Sequence, residues 1–244
     1  MSWPGGLLYY TLDLNLELIT LDGPVAVGKS SVGSLLARRL GFCFFDTGLI
    51  YRAFTWRVIQ SGLSSEDESG LSRLAGMTKF EFVAGQEERL SVLIDGKDVS
   101  SKLTRSEVEE DVALVSKVAE VREKMVSEQR RVARRGKLVM AGRDIGTVVL
   151  PWADLKIFMV ASVEARAMRR YRELLERGRK PDYEVVLTEL KRRDDNDMHR
   201  AISPLKAAAD AVVIDTEELS LEQVVDRIYD LAIGFSNEDS SPAD

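Results

Sequence analysis

Three patterns predict a doubly wound parallel α/β sheet that carries a small antiparallel β insertion and an arginine-rich lid. Short apolar runs alternate with segments whose apolar residues recur at helical spacing, as in a chain that lays down successive β–α–β units. The run Gly23-Pro24-Val25-Ala26-Val27-Gly28-Lys29-Ser30 fits G-x-x-x-x-G-K-[ST] and stands between one such strand and one such helix. From Lys79 to Ile94 the pattern changes to two short strands with no helix between them, which suits a hairpin rather than a crossover.

The first strand covers about Leu18 to Asp22. The glycines after it let several backbone N–H groups turn toward one anion, and the next helix adds its positive dipole end there. Ser31 follows the motif, and Val32, Leu35, Leu36 and Leu40 form the apolar face of that helix. Gly23 to Ser31 is therefore the expected cradle of a nucleoside triphosphate, a core of the P-loop NTPase kind. Lys29 would reach the β- and γ-phosphates, and the Ser30 hydroxyl would hold Mg2+.

The second strand, Phe42 to Phe45, runs into Asp46-Thr47-Gly48, and a helix is expected over Leu49 to Ile59. Functional side chains collect at the C-terminal ends of parallel strands, which puts Asp46, Thr47, Tyr51 and Arg52 on the active edge. Ser61 to Gly76 is turn-rich and acidic, with a short connecting helix. Lys79 to Val83 and Leu90 to Ile94 build the insertion, and Asp95-Gly96 marks a further hairpin. Ser106-Glu107-Val108-Glu109 has capping-box spacing and opens a long helix expected to reach Arg134, with Gly136 ending it. Arg130, Arg131, Arg134, Arg135 and Lys137 then read as a solvated helix end, where the dipole favours cations.

Lys137 to Met140 and Leu155 to Val160 are the next core strands, the first running into Gly142-Arg143-Asp144-Ile145-Gly146. Ser162 starts an arginine-rich helix that Gly178 and Pro181 interrupt, and Asp182 caps another. Val212 to Asp215 is the last strand. Ser220-Leu221-Glu222-Gln223 is a second capping box before the final helix.

With 34 Lys and Arg against 40 Asp and Glu, the net charge of −6 excludes a general nucleic-acid binder, whose affinity comes from clustered cations. Arg166 to Lys180 reverses that average, with Arg166, Arg169, Arg170, Arg172, Arg177, Arg179 and Lys180 against Glu173 and Glu176. Such a patch suits a compact polyanion. The one cysteine, Cys43, lies in an apolar run and fits a buried role in a reducing compartment. The one histidine, His199, rules out a histidine-rich metal site and fits the surface. No apolar run is long enough to span a membrane, and residues 1–28 hold no Lys or Arg, unlike a signal peptide. Residues 1–17 read as an N-terminal extension with leucines at strand spacing, 18–235 as one domain, and 236–244 as a polar, disordered tail.

Arg166 and Arg170 share a helix face and suit a lid that brings guanidinium groups to a transferring phosphoryl. Arg193, Asp197 and Arg200 stand at i, i+4 and i+7. Two forks flanking a carboxylate can hold a phosphate and a sugar hydroxyl, or can form a self-satisfied ion-pair ladder.

The phosphate loop, Asp46-Thr47-Gly48-Leu49-Ile50-Tyr51-Arg52, Gly142-Arg143-Asp144-Ile145-Gly146-Thr147-Val148-Val149 and the Arg193-to-Leu205 segment occur in the order found in bacterial cytidylate kinases. The chain resembles that family from about Leu18 to Ile233. The resemblance implies a P-loop nucleoside monophosphate kinase that makes CDP or dCDP from ATP and CMP or dCMP. Its monophosphate-binding insertion would span about 79–105 and its lid about 166–181. Matching positions imply Thr47, Tyr51, Arg52, Arg122, Arg143, Asp144, Arg193, Asp197 and Arg200 around the monophosphate. Of these, Arg52, Arg143 and Arg200 would meet the phosphate, Asp197 the sugar, and Arg122 and Asp144 the base. The expected partners are small nucleotides alone, with no nucleic acid or membrane, for a cytoplasmic monomer.

Three positions depart from the family pattern. Ala113 stands where a serine usually touches cytosine, with Ser116 one turn on. Ala119 replaces a helix-breaking proline, and Ala141 replaces a common acidic residue before Gly142. A kinase of UMP or another small acceptor, and a catalytically weakened ATP-binding regulator, remain alternatives.

Overall fold

The structure, a computed structural model, describes residues 15–84, 89–200 and 202–238. Five parallel strands form the main sheet. β1 (Leu18–Asp22) lies at its centre between β6 (Leu138–Gly142) and β7 (Leu155–Val160), with β2 (Cys43–Asp46) and β8 (Val212–Asp215) at the edges. Asp46 stands beside Ala141, and Asp22 beside Gly142 and Phe158, so the acidic ends of β1 and β2 finish at one edge of the sheet.

Alternation along β6 separates two apolar layers, because successive side chains of a strand face opposite ways. Leu138 and Met140 pack with Phe45, Ile50, Phe54, Val121 and Met125. Val139 and Ala141 pack instead with Ile19, Leu21, Leu36, Phe44 and Ile228. The first layer is built from α2 (Gly48–Ser61), α3 (Glu68–Met77) and the helices that follow the insertion; α1 (Lys29–Leu40) and α8 (Leu221–Glu238) cover the second. Helices on both faces and parallel pairing throughout confirm the predicted doubly wound sheet.

The predicted insertion is a separate antiparallel sheet of β3 (Phe80–Ala84), β4 (Leu90–Ile94) and β5 (Lys97–Asp98). It packs on β2, where Phe45 and Phe82 meet edge to face with centroids 5.2 Å apart.

The long helix expected from Ser106 to Arg134 is two helices, α4 (Ser106–Val115) and α5 (Ala119–Ala133). Val118 stops the run by taking ψ 124° and burying its side chain in the core, so no proline is needed. The capping box at Ser106 does not form either. The N-cap is Arg105 and not Ser106, and the Arg105 carbonyl accepts from Val108 and Glu109 N–H. At Ser220 the predicted box does form, with Ser220 N–H donating to Gln223 Oε1 and Gln223 N–H to Ser220 Oγ.

The cations around Arg134 are not simply a solvated helix end. Arg130 donates to the Val148 and Val149 carbonyls, Arg131 to Phe80 O and Arg135 to Phe82 O, so the group ties α5 to the neighbouring turn and to the insertion. Residues 1–14 of the expected extension lie outside the described residues. Leu16 is buried with the β1 layer, and Glu17 and Leu18 N–H both donate to Asp154 Oδ2, which moves the core boundary ahead of Leu16. His199 is exposed, as expected, and so tests no metal role.

Candidate active site

Between β1 and α1 the chain turns so tightly that side chains are excluded. A Cβ on Gly23 would lie 2.4 Å from the Met159 carbonyl oxygen, and Gly28 holds φ 103° at the N-cap of α1. Ala26 is also left-handed, at φ 61°. Pro24, Val25 and Ala26 are half-buried, Val27 is buried, and Ser30 and Ser31 open to solvent at the start of α1. Lys29 folds over its own loop, Nζ donating to Gly23 O at 2.7 Å and Pro24 O at 2.6 Å. Burial, aided by Arg143, lowers its pKa to about 7 against the pull of Asp46, Asp22 and Asp197.

Two carboxylates flank the loop and do different work. Asp22 is buried and accepts from Ile145 N–H at 2.9 Å and Gly146 N–H at 2.7 Å, which fastens the turn Ile145–Val149 to β1. Burial raises its pKa to about 6 despite those two bonds. Asp46 accepts from Gly48 N–H at 2.9 Å with Oδ1 and from the Ser30 hydroxyl at 2.8 Å with Oδ2. Ser30 thus meets Asp46.

Beyond the loop, a charged network joins α2, α5, the end of β6 and α7 (Tyr183–His199). Arg122 Nη2 donates to Asp144 Oδ2 at 2.5 Å, both side chains nearly buried. Arg143 Nε donates to Asp197, and Arg200 reaches toward Asp144 (3.7 Å) and Asp197 (3.9 Å). Burial pulls the Arg200 pKa below its ordinary value, with Asp144 and Asp197 opposing. Arg122 Nε and Arg200 Nη2 are buried with no hydrogen-bond partner among the described residues, an arrangement that leaves donors for a ligand. The Tyr51 ring lies 5.8 Å from the Arg122 guanidinium, and burial raises its phenol to about 12. Thr47 spends its hydroxyl on Ala141 O at 2.8 Å. Arg52 lies over Gly48, where a Cβ would stand 2.8 Å from its Nη1.

The expected stripe of Arg193, Asp197 and Arg200 is not one helical face. α7 ends at His199 and Arg200 is already extended, with φ −64° and ψ 139°. Asp197 and Arg200 still meet the network, whereas Arg193 pairs with Glu189 at 2.6 Å on the exposed side.

The lid arginines also divide. On α6 (Val163–Glu176), Arg166 is buried, forked onto Asp194 of α7 at 3.2 and 2.5 Å and bonded to Val25 O of the loop. It therefore braces the lid against the loop instead of standing free as a mobile donor. Arg170 remains half-buried and pairs with Glu173. Arg169, read only as one cation of the patch, bonds Thr216 after β8. The sequence placed Asp46 on the active edge without a partner and left Asp194 unassigned. The partners that reveal them, Ser30 and Arg166, are 16 and 28 residues away, beyond any local pattern.

The described residues offer no group of three or more His, Cys, Asp or Glu that could hold a metal, and no helix long and apolar enough to cross a membrane. In comparisons with known proteins, the sequence model described as cytidylate kinase matches residues 19–233. A cytidylate kinase of Geobacillus sp. (strain WCH70) is 46% identical over 213 residues, 87% of this chain and 95% of that protein. One from Carboxydothermus hydrogenoformans is 43% identical over 220 residues, 90% and 98% of the two chains. Among solved structures, an uncharacterized protein from Eubacterium ventriosum has a TM-score of 0.50 at 11% identity, covering 90% of this chain and 99% of that one. That last likeness is one of fold alone.

Proposed function

The chain belongs to the cytidylate kinase family, and from that premise we propose how its active edge moves the γ-phosphoryl group of ATP to CMP or dCMP, giving ADP and CDP or dCDP. The observation that carries the reading is the bridge from loop to network. Arg166 bonds Val25 O of the phosphate loop and Asp194 of α7, and Asp197 on the same helix accepts from Arg143 of the network. Donor loop and network are thus held together to serve one transfer.

An oxygen of the CMP phosphate attacks the γ-phosphorus in line, the bond to the β–γ bridging oxygen breaks, and ADP leaves with no covalent intermediate on the protein. Gly23 to Ser31 hold the donor phosphates, and Lys29 offsets charge on them. Arg52, Arg143 and Arg200 bind the acceptor phosphate, Asp197 the sugar, and Arg122 with Asp144 the base, beside Thr47 and Tyr51. Arg193 joins them only by leaving Glu189, and Arg170 reaches the phosphoryl only by leaving Glu173. Arg166 acts by bracing α6 and α7 on the loop carbonyl of Val25. The cofactor is Mg2+, and the donor set fits it. Ser30 and Asp46 offer hard oxygens beside the loop, and Mg2+ commonly takes one or two protein oxygens plus substrate phosphates. When bound, it would supply charge neutralisation at the β- and γ-phosphate oxygens. The buried Cys43 suits the reducing cytoplasm.

An ADP-release assay across CMP, dCMP, UMP and AMP tests the reading. Highest kcat/KM is expected with CMP or dCMP. Preference for UMP or AMP would overturn the acceptor assignment, and no turnover with any would overturn the kinase.

A further inference from the structure

Ile145–Val149 is one wide turn, in which Val149 N–H donates to Asp144 O and Leu150 N–H to Ile145 O. Such a turn is rare and weak by itself, because a single turn leaves backbone groups unmatched at both ends. Asp144 stands at its N-cap, where a carboxylate ordinarily accepts from the first N–H groups. It makes no such bond. Asp22 of β1 takes the Ile145 and Gly146 N–H groups in its place, which leaves the Asp144 side chain to Arg122 and Arg200.

The other end is also matched from outside the turn. Pro151 has no N–H, and no helix continues past Val149. Arg130 of α5 donates to the last two carbonyls, Nη2 to Val148 O at 2.8 Å and Nε to Val149 O at 2.9 Å. A planar guanidinium can fork in this way; an ammonium cannot. Trp152 is 57% exposed, and its ring lies 5.4 Å from that guanidinium, within cation–π range. About two turns before Arg130 the same helix carries Arg122, which donates to Asp144 at 2.5 Å. α5 therefore holds both Asp144 and the turn that follows it.

We propose that Arg130, with Trp152 against its guanidinium, is a positioning residue for the nucleotide acceptor. It fixes one end of the turn as Asp22 fixes the other. The Asp144 carboxylate then stays on Arg122 and open to the base instead of folding back to cap its own turn. The inference rests on the acceptor reading above and extends it to two residues that act through the turn.

The test is steady-state kinetics with CMP and ATP varied in turn. Arg130→Met keeps the stem and removes the fork. It should raise the KM for CMP about 10-fold and leave the KM for ATP within about twofold. Arg130→Lys should recover only part of that loss. Trp152→Ala should move the KM for CMP in the same direction by about 3-fold. In an Asp144→Asn background, Arg130→Met should add much less than it costs alone, because both changes act on one carboxylate. Equal rises in both KM values, or a lower melting temperature with neither KM changed, would make Arg130 a brace of the fold and the proposal wrong. Full additivity with Asp144→Asn would also overturn it. If Arg130→Met does not fold, Trp152→Ala, which alters an exposed side chain, reads the same split between the two KM values. Failure of the unmodified protein to phosphorylate CMP would sink the acceptor reading and this inference with it. Normal turnover with an unchanged KM for CMP in Arg130→Met would sink this inference alone.

Discussion

Lys29 spends its ammonium on Gly23 O and Pro24 O, and burial brings its pKa to about 7. The unfolded chain keeps that proton up to about pH 10.4. Between about pH 7 and 10 the unfolded state therefore binds more protons, and this residue makes the stability of the free protein rise with pH across that window. A triphosphate reverses the balance by favouring the charged form. At pH 8, where the free lysine is mostly neutral, ATP binding should take up about one proton, read as a buffer-dependent calorimetric enthalpy. Lys29→Met should abolish the uptake and lower turnover by about 10³. Unchanged uptake in that variant would assign the proton to another group.

At the scale of the element, two helices behave against their local sequence. Gly33 lies inside α1, where propensity alone says that alanine would stabilise by about 1 kcal/mol. A Cβ there would lie 2.2 Å from the ring of Phe44, which is itself buried under the helix. Gly33→Ala should instead destabilise by about 1–3 kcal/mol in denaturant melts, because the core has no room for the methyl. The other case is the break between α4 and α5. Arg122 is carried on a separate helix from Ala113, and Ser116 stands at the C-cap of the first helix. Ser116 caps its own helix, its hydroxyl donating to Ala113 O at 3.3 Å. Ala113 is exposed and carries no hydroxyl. Ala113→Ser should widen the ratio of kcat/KM for CMP over UMP several-fold, the effect of one hydrogen bond worth about 1 kcal/mol. Ser116→Ala should barely move it; the reverse result would make Ser116 the base-reading residue.

Across the whole molecule, the two sheet layers bury many apolar side chains, whereas among the described residues the layer between α6 and α7 fully buries only Ala167, Val186 and Leu190. That pair is also joined by the buried ion pair Arg166–Asp194, and it touches both halves of the site. Asp194 leads through Arg166 to the phosphate loop, and Asp197 on the same helix leads to Arg143. A lightly buried unit opens at lower cost than the core. Amides of α6 and α7 should exchange hydrogen faster than those of β1 and β6 in the free protein, and gain protection when ATP and CMP are both bound. Equal rates in the free protein would show that the pair is as firmly held as the sheet.

The parallel core, the insertion, the phosphate loop and the members of the charged network Arg122, Arg143, Asp144, Asp197 and Arg200 were legible in the sequence, because each is written at short range. A strand period, a glycine spacing or a capping pair such as Ser220 with Gln223 needs no distant partner. Tertiary structure alone decided which charges meet. It divided the helix before Arg122 by burying Val118, sent Arg193 to Glu189, buried Arg166 against Asp194, and set Asp46 opposite Ser30. Each outcome depends on packing between residues far apart in the chain, and a charge costs too much to bury without a partner for local sequence to fix where it goes.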